Sequence, residues 1–293
     1  MTVRESAGRA QSLAVPGRVQ TDLLAASAVV PELPRRLDEP RDVRRMRLEV
    51  SGATLAGPDL QGAGQSVVGS VVELVDARRL APGPRGDEDL GRYLTPEPLI
   101  ESDDPEIVAE AERALRGVDG VRARAERLTR HVNAILEKKP TVSLPSAREV
   151  LRTRVGDCNE HTALYVAMAR AVGIPARIAV GLVYVRGLQG AFYYHAWPEV
   201  YIAEEPARGL WLPVDPTLNE FPADATHLRL ARGGLDRQTS ILPLIGRLRL
   251  NVIDLELDEA ATPILVGRPA VALAPLSTDG RAPAREATRQ SRP

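Results

Sequence analysis

The sequence carries a single cysteine, Cys158, among 293 residues, so no intrachain disulfide can brace the fold. A lone thiol leaves the redox compartment open, because an exported protein with one reactive cysteine has the same count. Charge of one sign is not in excess either: Lys plus Arg number 38 against 39 Asp plus Glu, for a net of −1. No global field therefore draws nucleic acid or an anionic membrane surface. No apolar run is long enough to span a bilayer, and the stretch Leu23 to Val30 is too short and too late for a signal peptide. The expected location is cytoplasmic by default, with export as part of a longer precursor left open. Oligomeric state is not legible. Aromatic residues make up only 3%, yet much of that small stock gathers between Phe192 and Trp211. Specialised structure is expected there.

The length suits two domains with a sizeable core. Residues 1–36, with scattered arginines, small residues and prolines, read as a poorly ordered arm. Residues 37–93 read as a small β-rich region. Met46, Leu48 and Val50 alternate with Arg45, Arg47 and Glu49 as in a half-buried strand, and Ser66 to Val75 forms a second. Two strands alone are marginal, so they must complete a sheet with something else. Residues 94–258 hold the helices and the motifs. Pro105 after Asp104 predicts a helix start, Val121 to Glu137 a second helix, and Ser146 with Glu149 a short capped turn. Arg122, Arg124, Arg127 and Arg130 lack an aromatic platform and read as a solvated face, not a nucleic-acid site. Arg177 to Val185 predicts a central strand, and Ala225 to Leu230 and Leu248 to Leu257 two more. Residues 259–293, rich in Ala, Pro and Arg, read as a disordered tail.

The stretch Gly156-Asp157-Cys158-Asn159-Glu160-His161 places the thiol at the start of a helix. Apolar residues recur from Leu164 through Val172 at helical spacing, and Gly173 with Pro175 supplies a stop. Asp157 can cap the helix while Glu160 reaches back to the cap amide, which leaves Cys158 at the first helical position. There the helix dipole favours thiolate and the Asp157 carboxylate opposes it, so a base is needed. Of the four histidines, His131 falls inside a helical pattern and His227 shows no partner in sequence. His195 lies in the strand-like run Phe192 to Ile202, where a period of two puts His195, Trp197 and Glu199 on one face. A second short strand, Leu210 to Asp215, ends on an acid before Pro216.

Nucleophile at a helix N-terminus, imidazole on one strand and carboxylate at the end of the next is the layout of Cys-His-Asp catalysis. Gly156 to Thr162, Gly173-Ile174-Pro175-Ala176-Arg177, His195-Ala196-Trp197-Pro198-Glu199-Val200 and Val214-Asp215-Pro216-Thr217 together resemble the transglutaminase-like superfamily, over roughly residues 94–257. The resemblance implies an α+β fold with a papain-like core, helices packed on an antiparallel sheet, and Cys158 as nucleophile, His195 as base and Asp215 as orienter. Trp197, Glu160 and Asp157 would wall or support the site. Pro198 departs from the usual small residue, and a proline there predicts an edge strand or a bulge.

The implied activity is acyl transfer at a peptide or protein amide, with hydrolysis by a cysteine peptidase or amidase favoured over transglutaminase cross-linking. No cofactor is implied, since no acidic calcium-loop pattern occurs. Blander readings stand beside these. Cys158 can be a buried structural thiol, Asp215 a turn residue before proline, and the whole a non-catalytic binding module on the same fold. A zinc site using Cys158, two imidazoles and a carboxylate is the remaining alternative, with neither a second cysteine nor a His-x-x-x-His element to support it.

Overall fold

The structure, a computed structural model, describes residues 28–258 apart from 54, 56–57, 86–87, 140–145, 189, 206, 234–236, 238–240, 242–243 and 245. Most of the expected N-terminal arm and all of the expected tail lie outside the described residues. The N-terminal sheet begins with β1 (Val43–Ser51), whose alternation buries Val43, Met46, Leu48 and Val50. It continues with β2 (Gln65–Val68) and β3 (Val71–Val75), an antiparallel pair joined by a tight turn. The third partner comes from the far end of the sequence. The last strand, Arg249–Leu257, pairs antiparallel with β1 from Val43↔Leu257 to Ser51↔Arg249. β1 thus has a neighbour on each side, which supplies what two strands alone lack. Arg45, on the polar face of β1, bridges Glu73 on β3 and Asp254 and Glu256 on the last strand.

After β4 (Gly83–Pro84) the chain turns helical. In α1 (Pro105–Ala114), Asp104 accepts the Glu106 amide at 2.8 Å, Pro105 occupies the first turn, and Ile107, Ala111 and Ala114 are buried. In α2 (Val121–Ile135), Ala125, Leu128 and Val132 face inward, while Arg122, Arg127 and Arg130 are exposed. α3 (Ala147–Thr153) starts at Ser146, but the serine hydroxyl does not cap it. It donates to Glu101 instead, whose carboxylate also takes the Arg148 amide. The two-residue strands β5 (Glu137–Lys138) and β6 (Val155–Gly156) pair in parallel and deliver the chain to α4 (Cys158–Ala171).

The sequence pattern of α4 predicts an amphipathic helix; the structure buries it on every side from Glu160 to Arg170. The reason is its position, with α1, α2 and α3 against one side and the main sheet against the other. Its polar side chains are satisfied across both layers, as burial demands. Tyr165 donates to the Ala125 carbonyl of α2 and Thr162 to the Ala196 carbonyl of the sheet, each at 3.1 Å. Arg170 binds the carbonyls of Ala176 and Thr95 and the Glu97 carboxylate. Leu164, Val166 and Met168 fill the space between, each side chain contributing about 1.5–3 kcal/mol on burial.

The main sheet is antiparallel throughout. Its strands are β7 (Ala176–Val185), β8 (Ala191–Glu205), β9 (Arg208–Pro213) and β10 (Leu228–Arg232), in the order β10-β7-β8-β9-β4, with the last strand of the chain, β11 (Arg249–Leu257), in the other sheet. The fold is therefore α+β, with helices on an antiparallel sheet beside a smaller β-rich region. β8 is an interior strand, and its pairing with β7 runs unbroken through Ile178↔Pro198, so neither the edge nor the bulge predicted for Pro198 occurs. The proline is accommodated differently. Its carbonyl accepts the Val214 amide at 3.0 Å, just beyond the end of β9 at Pro213. A strand residue points its nitrogen and carbonyl to the same side, so the missing donor falls where the β8–β9 ladder is ending.

Candidate functional site

The N-terminus of α4 is built as its sequence predicts. Asp157 accepts the Asn159 amide at 3.0 Å, and the Glu160 carboxylate reaches back to the Asp157 amide at 3.0 Å. Gly156 is required for this box, because a Cβ added there would lie 2.2 Å from the Glu160 Cβ. Cys158 occupies the first helical position. Its sulfur is not activated there. Burial pushes the thiol pKa well above its ordinary value, the Asp157 carboxylate raises it further, and an Ala196 backbone hydrogen bond offsets only part of this. Helix-dipole stabilisation of a thiolate, worth about 0.3–1 kcal/mol in ordinary settings, is overwhelmed. His161, one turn on, is buried with its Nδ1 2.6 Å from the Asp157 carbonyl, and its Nε2 finds no partner among the described residues.

His195 lies on β8 and Asp215 two residues after β9, which pairs with β8. That adjacency brings the His195 Nε2 to 2.7 Å from the Asp215 Oδ2. The other oxygen, Oδ1, accepts the amides of Thr217 and Leu218 at 2.7 and 2.9 Å, a turn that fixes the carboxylate. A second imidazole shares Oδ2. His227 sits with its Nε2 3.1 Å from Asp215 and its Nδ1 3.3 Å from the Asp224 carboxylate. Both rings and both carboxylates are buried. Trp197 lies beside them, its ring centroid 5.1 Å from that of His227 in an edge arrangement and 6.1 Å from His195 in a stacked one.

His227 is held between two carboxylates. Burial alone would lower its pKa, but Asp215 and Asp224 outweigh that and raise the ring to about 10. It is an imidazolium at neutral pH. Burial would raise Asp215, yet the two histidines hold its carboxyl far below the usual range. One carboxylate oxygen of Asp215 thus serves both rings, His195 at 2.7 Å and His227 at 3.1 Å. His227 was the residue without a visible partner in the sequence. The only local signal is Asp224 with Thr226, whose amide and hydroxyl both bond the Asp224 carboxylate at 2.8 and 2.6 Å and so aim the following ring inward.

The thiol stands outside this network. Donor atoms of His195, Asp215 and His227 come within 4.8 Å of one another, and the Cys158 sulfur is not among them. The expected Cys158-His195-Asp215 triad is therefore not assembled. With it fall the expectations of an enzyme, of thiol-dependent acyl transfer at an amide, and of cysteine peptidase or amidase hydrolysis. The physical reason is that the imidazole is committed to a buried carboxylate shared with a second, charged imidazole, while the sulfur is desolvated and neutral. Two groups of side chains could offer three metal ligands each, His195-Asp215-His227 and Glu220-Asp224-His227. Both include His227, whose ring the two carboxylates hold charged, so a metal there would have to displace its proton. The zinc alternative built on Cys158 has no support in this geometry.

A helical layer packed on an antiparallel sheet, with the central helix N-terminus against the strand that carries the histidine, defines a papain-like core of the transglutaminase type. Residues 106–216 match the profile of the transglutaminase-like superfamily, and that segment belongs to it. No curated protein matches the chain in sequence. Among solved structures, the chain is similar to the "Putative Cysteine Protease" of Cytophaga hutchinsonii, at 18% identity over 76% of this chain and 82% of that one, with a TM-score of 0.43. It is also similar to the periplasmic domain of TgpA from Pseudomonas aeruginosa bound to ethylmercury, at 17% identity over 74% and 98% of the two chains, with a TM-score of 0.40. No helix among the described residues is long and apolar enough to cross a membrane.

Proposed function

We propose that the protein is a non-catalytic binding module on a transglutaminase-type fold, and that its partner is a peptide or protein segment recognised without cleavage. The observation that carries this reading is the shared carboxylate: Asp215 Oδ2 serves both His195 and His227, and the Cys158 sulfur lies outside that cluster. Acyl transfer needs a thiolate and a base that can pass its proton to a leaving amine. Here the thiol is held protonated by burial. The residues expected to form a site keep structural work in this reading: Asp157 and Glu160 close the helix cap, Trp197 packs the two rings, and His195 with Asp215 locks β8 to the segment after β9. A rigid core of this kind suits display of a fixed surface.

The test is incubation of the folded protein with a complex peptide mixture, read by mass spectrometry for cleavage, for glutamine deamidation and for cross-links, with Cys158→Ala alongside. Identical, unchanged peptide profiles for both proteins are expected. Cysteine-dependent cleavage or ammonia loss would overturn the reading.

A further inference from the structure

The same face of β8 that carries His195 and Trp197 continues to Glu199, which is fully buried. Around it gather three guanidiniums. Arg177, its register partner on β7, donates from Nε at 2.8 Å; Arg229 on β10 donates from Nη1; and Arg232 donates from Nε at 3.1 Å. Arg177 and Glu199 both lie in the sequence motifs but take no part in the histidine site. Burial would raise the carboxyl of Glu199, but Arg229, Arg177 and Arg232 outweigh it and hold the group at about 2. Arg229 is in turn pulled down to about 10 by burial, with Arg232 and Arg177 as repelling neighbours. One carboxylate thus takes three guanidiniums, and Arg177 also bonds Glu88 at 2.9 Å.

The cluster borders two adjoining cavities of about 380 and 430 Å³, which share Arg177, Arg232 and Glu88. The larger adds Arg92, Arg170 and Arg237 against Asp59 and Glu97. The smaller adds Arg85 and a wall of Leu80, Leu90, Tyr201, Leu210 and Trp211. The Arg177 guanidinium lies 3.7 Å over the Trp211 ring, and the Trp211 indole donates to Glu88 at 2.8 Å, so the wall and the charged end are fixed together. Guanidinium groups are planar forks suited to carboxylate and phosphoryl oxygens, and the apolar wall of the smaller cavity suits an organic body.

We propose that the two cavities around Arg177 and Arg232 form one binding site for a small organic dianion, its phosphoryl or dicarboxylate end on the arginines and its carbon body against Trp211 and Tyr201. The site is separate from Cys158, and the proposal does not depend on the thiol being inert. The experiment is calorimetric titration of the folded chain at constant ionic strength with phenyl phosphate, phthalate and inorganic phosphate. Wild type is compared with Arg232→Gln, with Arg85→Gln at the exposed mouth, and with the remote control Arg152→Gln. Expected is saturable binding of one or both organic dianions, tighter than inorganic phosphate, weakened about 10-fold by Arg232→Gln or Arg85→Gln and unchanged in the control. The tighter of the two organic probes identifies the charged end. If Arg232→Gln fails to fold, Arg85→Gln decides. Absence of saturable binding, inorganic phosphate binding as tightly as the organic probes, or wild-type affinity in both Arg85→Gln and a folded Arg232→Gln would overturn the proposal. Cys158→Ala should bind as wild type does, so cysteine-dependent turnover of peptides would refute the binding-module reading and leave this site standing.

Discussion

Replacing His227 tests the electrostatics of the buried network most quantitatively. The ring is raised from 6.5 to about 10 by Asp215 and Asp224, against the lowering effect of burial. A raised folded-state pKa means that the contribution to stability is complete below the unfolded value near 6.5 and is lost as pH climbs through about 10. That difference corresponds to about 5 kcal/mol, an upper bound because the two carboxylates share the same proton. Asp215 behaves in the opposite direction. Its depressed pKa, held down first by His195 and then by His227, supplies stability above its unfolded value that is lost in acid. Urea unfolding of the wild type at pH 6.5 and at pH 9.5 should therefore show a fall of several kcal/mol over that interval. His227→Gln keeps a donor for Asp215 but no charge. It should unfold about 3–5 kcal/mol more easily than wild type at pH 6.5, as expected when one partner of a buried ion pair is removed, and the gap should narrow sharply by pH 9.5. Parallel pH dependences for the two proteins would refute the assignment of the charge to His227.

Two further outcomes follow from packing and charge. Gly156→Ala should destabilise by about 2 kcal/mol or more, since its Cβ would meet Glu160 at 2.2 Å and force the capping box open; thermal melts beside Gly173→Ala, where nothing lies within 4 Å but φ is +78°, separate the clash from backbone strain alone. Glu199→Gln should cost about 3–5 kcal/mol because it leaves Arg177, Arg229 and Arg232 without their common counter-charge, and raising ionic strength should recover part of the loss in chemical denaturation; a salt-independent loss would argue against charge as the cause.

Much of the architecture was legible because it depends on local chemistry. The Asp157–Glu160 cap, the Pro105 helix start and the strand at Arg177 to Val185 each rest on signals within a few residues, and each has its counterpart in the structure. The proximity of His195 and Asp215 was legible as well, because neighbouring strands in sequence pair in the sheet. What was not legible depends on distant partners. His227 acquires its charge from Asp215 and Asp224 only after the Asp215–Glu220 and Asp224–Thr226 turns fold back, and no periodicity encodes that. The state of Cys158 turned on desolvation, which a helix-cap motif cannot report: the same Gly-Asp-Cys pattern would suit an exposed thiolate or a buried thiol. Amphipathic spacing in α4 was misleading for the same reason, since small residues between the apolar ones allow a second layer to cover the remaining face. β11 was read as a strand, but its pairing with β1, some two hundred residues earlier, needed the structure.

The central claim is that Cys158 is an inert, protonated thiol not coupled to His195, and the pH profile of its alkylation tests this directly. Iodoacetamide should react with the native protein more slowly than with a free peptide thiol at every pH up to about 9, with no plateau near neutrality and the same profile in His195→Ala, because burial and Asp157 raise the thiol. A fast neutral-pH plateau that His195→Ala abolishes would show a thiolate–imidazolium pair and contradict the account.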